Sequence, residues 1–156
     1  MTAISISVRE ADFDLGQEYA ELIANDTQYG AVAVFVGRVR EGVSGHNLIQ
    51  SMTLEYYPAM TEKSLHQIAA QAAARWPLAA VRIIHRVGRL LPGEQIVLVL
   101  TLSAHRQAAY DANRFVMDYL KTIAPFWKYE EGETGGQWVD AREADQQARQ
   151  RWENIE

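Results

Sequence analysis

Only three of the fifteen basic residues are lysine, and two of the three, Lys121 and Lys128, bracket a single segment, KTIAPFWK. Arginine serves at the other twelve basic positions, so keeping lysine beside Pro125, Phe126 and Trp127 calls for a chemical reason. A lysine desolvated by aromatic neighbours can act as acid, base or nucleophile; arginine, fixed in its charged form, cannot. The same pair also reads as ordinary surface lysines, one of them near a helix C-terminus where the dipole favours it. Glu130 and Glu131 follow as acid–base partners or solvated carboxylates. Arg38 and Arg40, two residues apart, share a strand face and can point at one anion, or stand as a surface pair at a strand end. The run SAHR (Ser103–Arg106) sits where a strand hands over to a helix. Free N–H groups at a helix start, with His105 and Arg106, would hold a phosphate or carboxylate; a capped helix with two solvated basic residues explains it equally well. His85 and Arg86 read as the outward face of a strand, Phe35 as core rather than a stacking platform, and Met117 and Tyr119 as core of a helix. The four histidines are too scattered to suggest a metal site, and no metal or other cofactor is expected.

The elements that must position these residues follow from hydrophobic periodicity and punctuation. Ile4–Val8 alternates as a short strand. Asp14 is placed to cap a helix with Leu15, Tyr19, Leu22 and Ile23 on one face. Ala31–Val39 is apolar on both faces and predicts a central strand. Leu48–Tyr57 predicts another, stopped by Pro58. Thr61 would cap a helix carrying Leu65, Ile68, Ala69, Ala72 and Trp76, closed by Pro77. Val81–Val87 and Gln95–Leu102 predict strands on either side of the turn GRLLPGE. Ser103 would cap a helix burying Ala108, Ala112, Phe115, Val116, Tyr119, Leu120 and Ile123 and ending at Pro125. A charged helix from about Asp140, with Ala141, Ala144, Ala148 and Trp152 as its apolar stripe, closes the chain. Glu41–Asn47 and Glu131–Gly136 are predicted as mobile loops. The order gives an α+β (mixed α/β) fold with a largely antiparallel sheet. No GxGxxG follows a strand, and P-loop, HExxH and GxSxG motifs are absent.

The 156 residues fit one domain, 1–156, large enough to fold on its core alone. With no cysteine, disulfide scaffolds, zinc ribbons, iron–sulfur sites and cysteine nucleophiles are excluded. A net charge of −5 argues against general nucleic-acid binding, while local basic clusters suit a small anion. Met1–Asp14 carries no basic n-region with an apolar h-region and no run reaches membrane-span length, so a soluble cytoplasmic protein is expected.

FVGRVR (Phe35–Arg40), LEYYPAMTEKSL (Leu54–Leu65), RWPL (Arg75–Leu78), IIHRVGRLLPGE (Ile83–Glu94), SAHR (Ser103–Arg106), MDYLKTIAPFWKYE (Met117–Glu130) and WVDAREAD (Trp138–Asp145) together resemble the large, catalytic subunit of molybdopterin synthase, the MoaE family. These segments cover most of the chain in the family's order, and MDYLKTIAPFWK is the specific one. The resemblance implies an α/β-hammerhead fold and a sulfurtransferase that turns cyclic pyranopterin monophosphate into molybdopterin. It implies that sulfur arrives as a thiocarboxylate on the C-terminal Gly-Gly tail of a small ubiquitin-like subunit, and that a homodimeric core carries one such subunit at each end, a heterotetramer. By residue, Lys121 and Lys128 match the catalytic lysines. Arg38, Val39, Arg40, His105, Arg106 and the segment Lys128–Glu130 match substrate-contacting positions, with Tyr129 where a basic residue is common. Arg142 matches a pocket arginine, and Phe35 and Met117 would line the channel for the tail. Two other functions compete: a non-catalytic adaptor for a ubiquitin-like protein, and an acylphosphatase-like hydrolase. If one straight helix joins them, His105 and Lys121 stand about 24 Å apart, which one small pterin phosphate cannot span. Either the helix bends or each site draws on two protomers.

Overall fold

The computed structural model describes residues 1–44, 47–133, 135–139 and 143–153, in the order β1 (Ala3–Arg9), α1 (Leu15–Leu22), β2 (Ala31–Arg38), β3 (Val43–Ser44), β4 (Asn47–Tyr56), α2 (Pro58–Arg75), β5 (Leu78–Arg86), β6 (Gly88–Leu90), β7 (Gln95–Ser103), α3 (Arg106–Leu120), β8 (Phe126–Gly132), β9 (Gly135–Val139) and α4 (Glu143–Glu153). One sheet has the order β1-β5-β7-β2, with β1 parallel to β5 and the other pairs antiparallel. Its inner strand β7 is apolar without alternation because both faces are covered. Val97 and Val99 pack with residues of α2 and α3, while Leu98 and Leu100 pack with Phe13 and Ile84 on the opposite face. The second sheet is built on β4, which pairs with β3, β6 and β8, and β8 pairs in turn with β9. The result is the single-domain, largely antiparallel α+β architecture that the sequence predicts.

Several local expectations are corrected. β2 is an edge strand, not a central one: it pairs with β7, and Val34 and Phe35 stay exposed. Its apolar run reflects the buried Ala33 and the packing of Val32 and Val36 against the cluster of Phe13, Ile84, Leu98 and Leu100, rather than a neighbour on each side. α2 begins a turn before Thr61, with Pro58 at its first position, where the missing N–H costs nothing. Thr61 is instead fully buried and its hydroxyl donates to the Pro125 carbonyl, 3.0 Å away. Ser103 ends β7 and donates to the Pro77 carbonyl (2.8 Å), leaving His105 as the N-cap of α3. That helix stops at Leu120, short of Pro125, and Ile123 is exposed. The chain then turns into the strand β8, which the sequence reading missed. Of the predicted loop Glu131–Gly136, Glu131 and Gly132 close β8 and Gly135 and Gly136 open β9, in register with each other. Of the loop Glu41–Asn47, Val43–Ser44 pairs with Asn47–Leu48 as β3 against β4, and residues 45–46 lie outside the described residues.

Two polar devices fix α3 and α4. Asn113, on the buried face of α3, donates from Nδ2 to the Ala33 carbonyl of β2 (3.1 Å) and the Val99 carbonyl of β7 (3.0 Å), tying the helix to two strands. Removing a buried donor with two acceptors leaves carbonyls unsatisfied, at about 1–3 kcal/mol. Asn113→Leu is accordingly expected to lower the urea midpoint by that equivalent with an unchanged m-value; a midpoint equal to wild type would show these bonds to be dispensable. On α4, the Trp152 ring meets Trp76 and Phe115 edge-on at 5.4 and 5.6 Å, and its Nε1 donates to Asp118 at 2.7 Å. The predicted apolar stripe of the last helix is thus anchored at Trp152.

Candidate functional site

A cleft of about 410 Å³ opens where the C-terminal end of α3 meets β2, β8 and the end of β5. Each element delivers a side chain by its own periodicity. Alternation on β2 puts Phe35 and Gly37 on one face, with Arg38 beyond a bulge at Gly37/Arg38. Met117 and Lys121 are one helical turn apart at the end of α3 and share a face. Lys128 comes from β8 and Trp127 from its neighbouring position at the mouth. Phe35, Arg38, Met117, Lys121 and Lys128, widely separated in sequence, therefore line one cleft. The Lys128 ammonium lies 3.6 Å from Glu130 Oε1, its neighbour on the same strand face. Lys121 is exposed, and among the described residues its side chain has no ion pair.

Beside the cleft, Arg38, Val39 and Arg40 border a shallower depression of about 440 Å³ together with Pro92 and Gly93. Arg38 belongs to both hollows, and its Nε donates to the Gly93 carbonyl at 3.2 Å. The Val39 side chain is buried with Met52, Leu54 and Leu90, its N–H donates to the Glu94 carbonyl (2.8 Å), and its carbonyl accepts from Gly93 (2.7 Å). The Tyr129 ring meets Trp138 edge-on at 5.1 Å and does not line the cleft. His105 and Arg106 are exposed at the opposite end of α3 and are not among the cleft residues. Arg142 lies outside the described residues.

His85 is where the sequence reading fails. Predicted on the outward face of a strand, it is buried at 5% exposure and lines the cleft. Its ring stacks on Phe126 with centroids 3.9 Å apart and planes 17° from parallel, and Nδ1 lies 2.8 Å from the Arg86 carbonyl. Burial, assisted by the nearby Lys121 charge and opposed by that backbone bond, pushes its pKa down to about 4. Alternation with the buried Val81 and Ile83 was the available signal for an inward-facing side chain. Arg86 is also buried; its guanidinium donates to the carbonyls of Glu10 (3.1 Å) and Gln95 (2.9 Å) and supports structure rather than the cleft. Among the described residues no cluster of His, Asp and Glu could hold a metal ion, and no helix is long and apolar enough to cross a membrane.

Fold and site thus define an α+β protein with an aromatic-walled cationic cleft suited to a small anion. The model of the MoaE protein family matches residues 8–123. The chain is 55% identical over 150 residues to the molybdopterin synthase catalytic subunit of Pseudomonas aeruginosa, covering 96% of this chain and 99% of that protein. Among solved structures it is similar to the molybdopterin biosynthesis MoaE protein of Burkholderia ambifaria (TM-score 0.81, 51% identity, 98% and 99% of the two chains covered) and to molybdopterin synthase of Staphylococcus aureus (TM-score 0.77, 35% identity, 85% and 95% covered). The chain belongs to the MoaE family.

Proposed function

We propose that the chain is the catalytic subunit of a molybdopterin synthase of the cytoplasm. It converts cyclic pyranopterin monophosphate to molybdopterin with two sulfurs carried as thiocarboxylate on the tail of a small ubiquitin-like subunit. The observation that carries this reading is the convergence of Lys121, Lys128 and Arg38 on one cleft in a chain of this family. The substrate brings a phosphate and the tail brings a thiocarboxylate, so both reactants are anions that a cluster of cations attracts. Once the thiocarboxylate sulfur has bonded to the pterin, water adds to the tail's carbonyl carbon to give a tetrahedral oxyanion, and its collapse breaks the C–S bond, leaving sulfur on the pterin and a carboxylate on the tail. A lysine ammonium held at that point stabilises the charge, and a cleft lysine moves a proton as the cyclic phosphate opens. Phe35 and Met117 form apolar wall for the slender Gly-Gly tail. Mixing the protein with thiocarboxylated small subunit and the cyclic pterin should yield the dithiolene product. No product, with a partner proven on another synthase, would overturn the reading.

The placement of His105 and Arg106 supports a site shared across a homodimer. α3 is about 22 Å long and β2 nearly the same. Ala31 of β2 pairs with Ser103 beside His105, while Arg38 lies at the cleft. β2 has no partner on its outer edge among the described residues. A two-fold axis near Val34 and Phe35 would lay two such edges together antiparallel, bringing His105 of the partner subunit toward the cleft that holds Arg38 and Lys121. The prediction is complementation: Lys121→Ala and His105→Ala proteins, each inactive, should regain up to one working site per mixed dimer. Sulfur transfer that stays absent after confirmed subunit exchange would exclude shared sites.

A further inference from the structure

The cations of the cleft account for the charge of an anionic substrate and leave its neutral part unread. His85 supplies a group of the opposite hydrogen-bonding kind. An Nδ1 placed 2.8 Å from the Arg86 carbonyl must carry the hydrogen, because a carbonyl can only accept. The lone pair is therefore on Nε2. Stacking on Phe126 fixes the plane of the ring, and the backbone bond fixes its rotation within that plane. His85 lines the cleft with Lys121, Lys128 and Arg38, and with Nδ1 committed to the backbone the one nitrogen it has left for a ligand is an acceptor.

We infer that His85 is a substrate-binding residue, whose Nε2 accepts a hydrogen bond from an N–H or O–H of the substrate's neutral heterocycle while the cationic side chains hold its phosphate. The inference rests on the reading of the cleft given under Proposed function. The charge that bears on the ring is that of Lys121, and Lys128, Arg38 and the carboxylate of Asp145 line the same cleft. Burial opposes a positive charge on the ring and the Lys121 charge adds to it, so the imidazole stays neutral. The neutral tautomer thus persists from mildly acidic pH upward, and the acceptor is not switched off in the working range. An arginine or lysine here could only donate, and a carboxylate would pair with the cations needed for phosphate.

The test separates acceptor from ring. His85→Phe keeps a stackable ring and removes Nε2, whereas His85→Gln restores an acceptor oxygen near the same place. Affinity for cyclic pyranopterin monophosphate, measured by titration calorimetry, is expected to fall about 10- to 100-fold in His85→Phe, in line with a donor left unpaired in a buried site. His85→Gln should recover a large part of it. In the wild-type protein, ¹⁵N spectra should show the Nδ1–H tautomer of His85, with the Nε2 signal moving upfield when substrate binds. Unchanged affinity in a folded His85→Phe protein, no recovery by glutamine, or an Nε2 signal indifferent to substrate would each overturn the assignment. Wild-type protein that binds and converts the pterin while His85→Phe does so equally well refutes only the role of His85. Wild-type protein that does neither, with a proven partner, refutes the reading of the cleft and this inference with it.

Discussion

Lys121→Ala should fold as wild type and lose sulfur transfer by about 100- to 1,000-fold, the range for removing one oxyanion-stabilising donor from an active site. The fold is indifferent to the change because the side chain is exposed at the C-cap of α3. Helix termination depends on the backbone there, where the Lys121 N–H donates to the Met117 carbonyl at 3.0 Å. Catalysis is expected to be sensitive because, among the described residues, no carboxylate pairs with Lys121 and its charge stays available at the cleft. Lys128 differs: its ammonium is 3.6 Å from Glu130 Oε1, so part of its field is already compensated. Lys128→Ala should therefore cost less than Lys121→Ala when both are assayed by dithiolene formation from thiocarboxylated partner and cyclic pterin. Equal turnover in wild type and a folded Lys121→Ala protein would remove Lys121 from the chemistry. A melting temperature well below wild type would instead show that its backbone cap needs the side chain.

Much of this site is legible in sequence, for reasons that differ by residue. Lys121 and Lys128 stand out by type, since a chain that otherwise uses arginine keeps lysine beside aromatics. Arg38 is found because the end of an apolar strand is a common place for ligands. What sequence cannot supply is the direction of a side chain in a segment of the wrong predicted class. KTIAPFWK reads as the tail of a helix, yet α3 ends at Leu120 and Phe126 opens β8. Pro125 ends the helical pattern in sequence, but the actual stop lies one turn earlier, where Thr122 Oγ1 donates back to the Asp118 carbonyl at 3.0 Å and the chain leaves the helix. With β8 missed, Lys128 and Glu130 could not be recognised as alternate residues on one face, nor Tyr129 as turned toward Trp138. β2 was misplaced for a different reason. Apolarity along a strand reports what covers the faces of the sheet and says nothing about neighbours within it, so an edge strand looks like a central one. His85 was missed because polarity was weighed above position: a histidine in phase with Val81 and Ile83 faces inward whatever its type.

The burial of His85 has a thermodynamic consequence that can be measured without substrate or partner. In the folded protein the imidazole takes up a proton near pH 4, and in the unfolded chain near pH 6.5. Between these values the unfolded chain binds more protons, so stability rises with pH across that window. The stability is complete above about pH 6.5 and is lost as pH falls toward 4, by about 3 kcal/mol in total, the separation of the two values converted at 1.36 kcal/mol per unit. Asp12, whose carboxyl is held below its ordinary value chiefly by the hydrogen bond from Gln95, works in the same direction but below pH 4. The two are therefore separable. Urea unfolding at pH 7.0 and 4.5 should show a loss of about 2–3 kcal/mol in wild type. In His85→Phe, where nothing at this position titrates, the profile should be flatter by most of that amount. The variant should be the less stable protein at neutral pH, since it leaves the Arg86 carbonyl without the Nδ1 donor, and the difference should narrow or reverse on acidification. Parallel profiles for the two proteins would mean that the imidazole is hydrated and titrates alike in both states. That outcome is incompatible with a ring at 5% exposure stacked on Phe126. A flattened profile would establish that burying this imidazole in its neutral form costs the chain stability in acid.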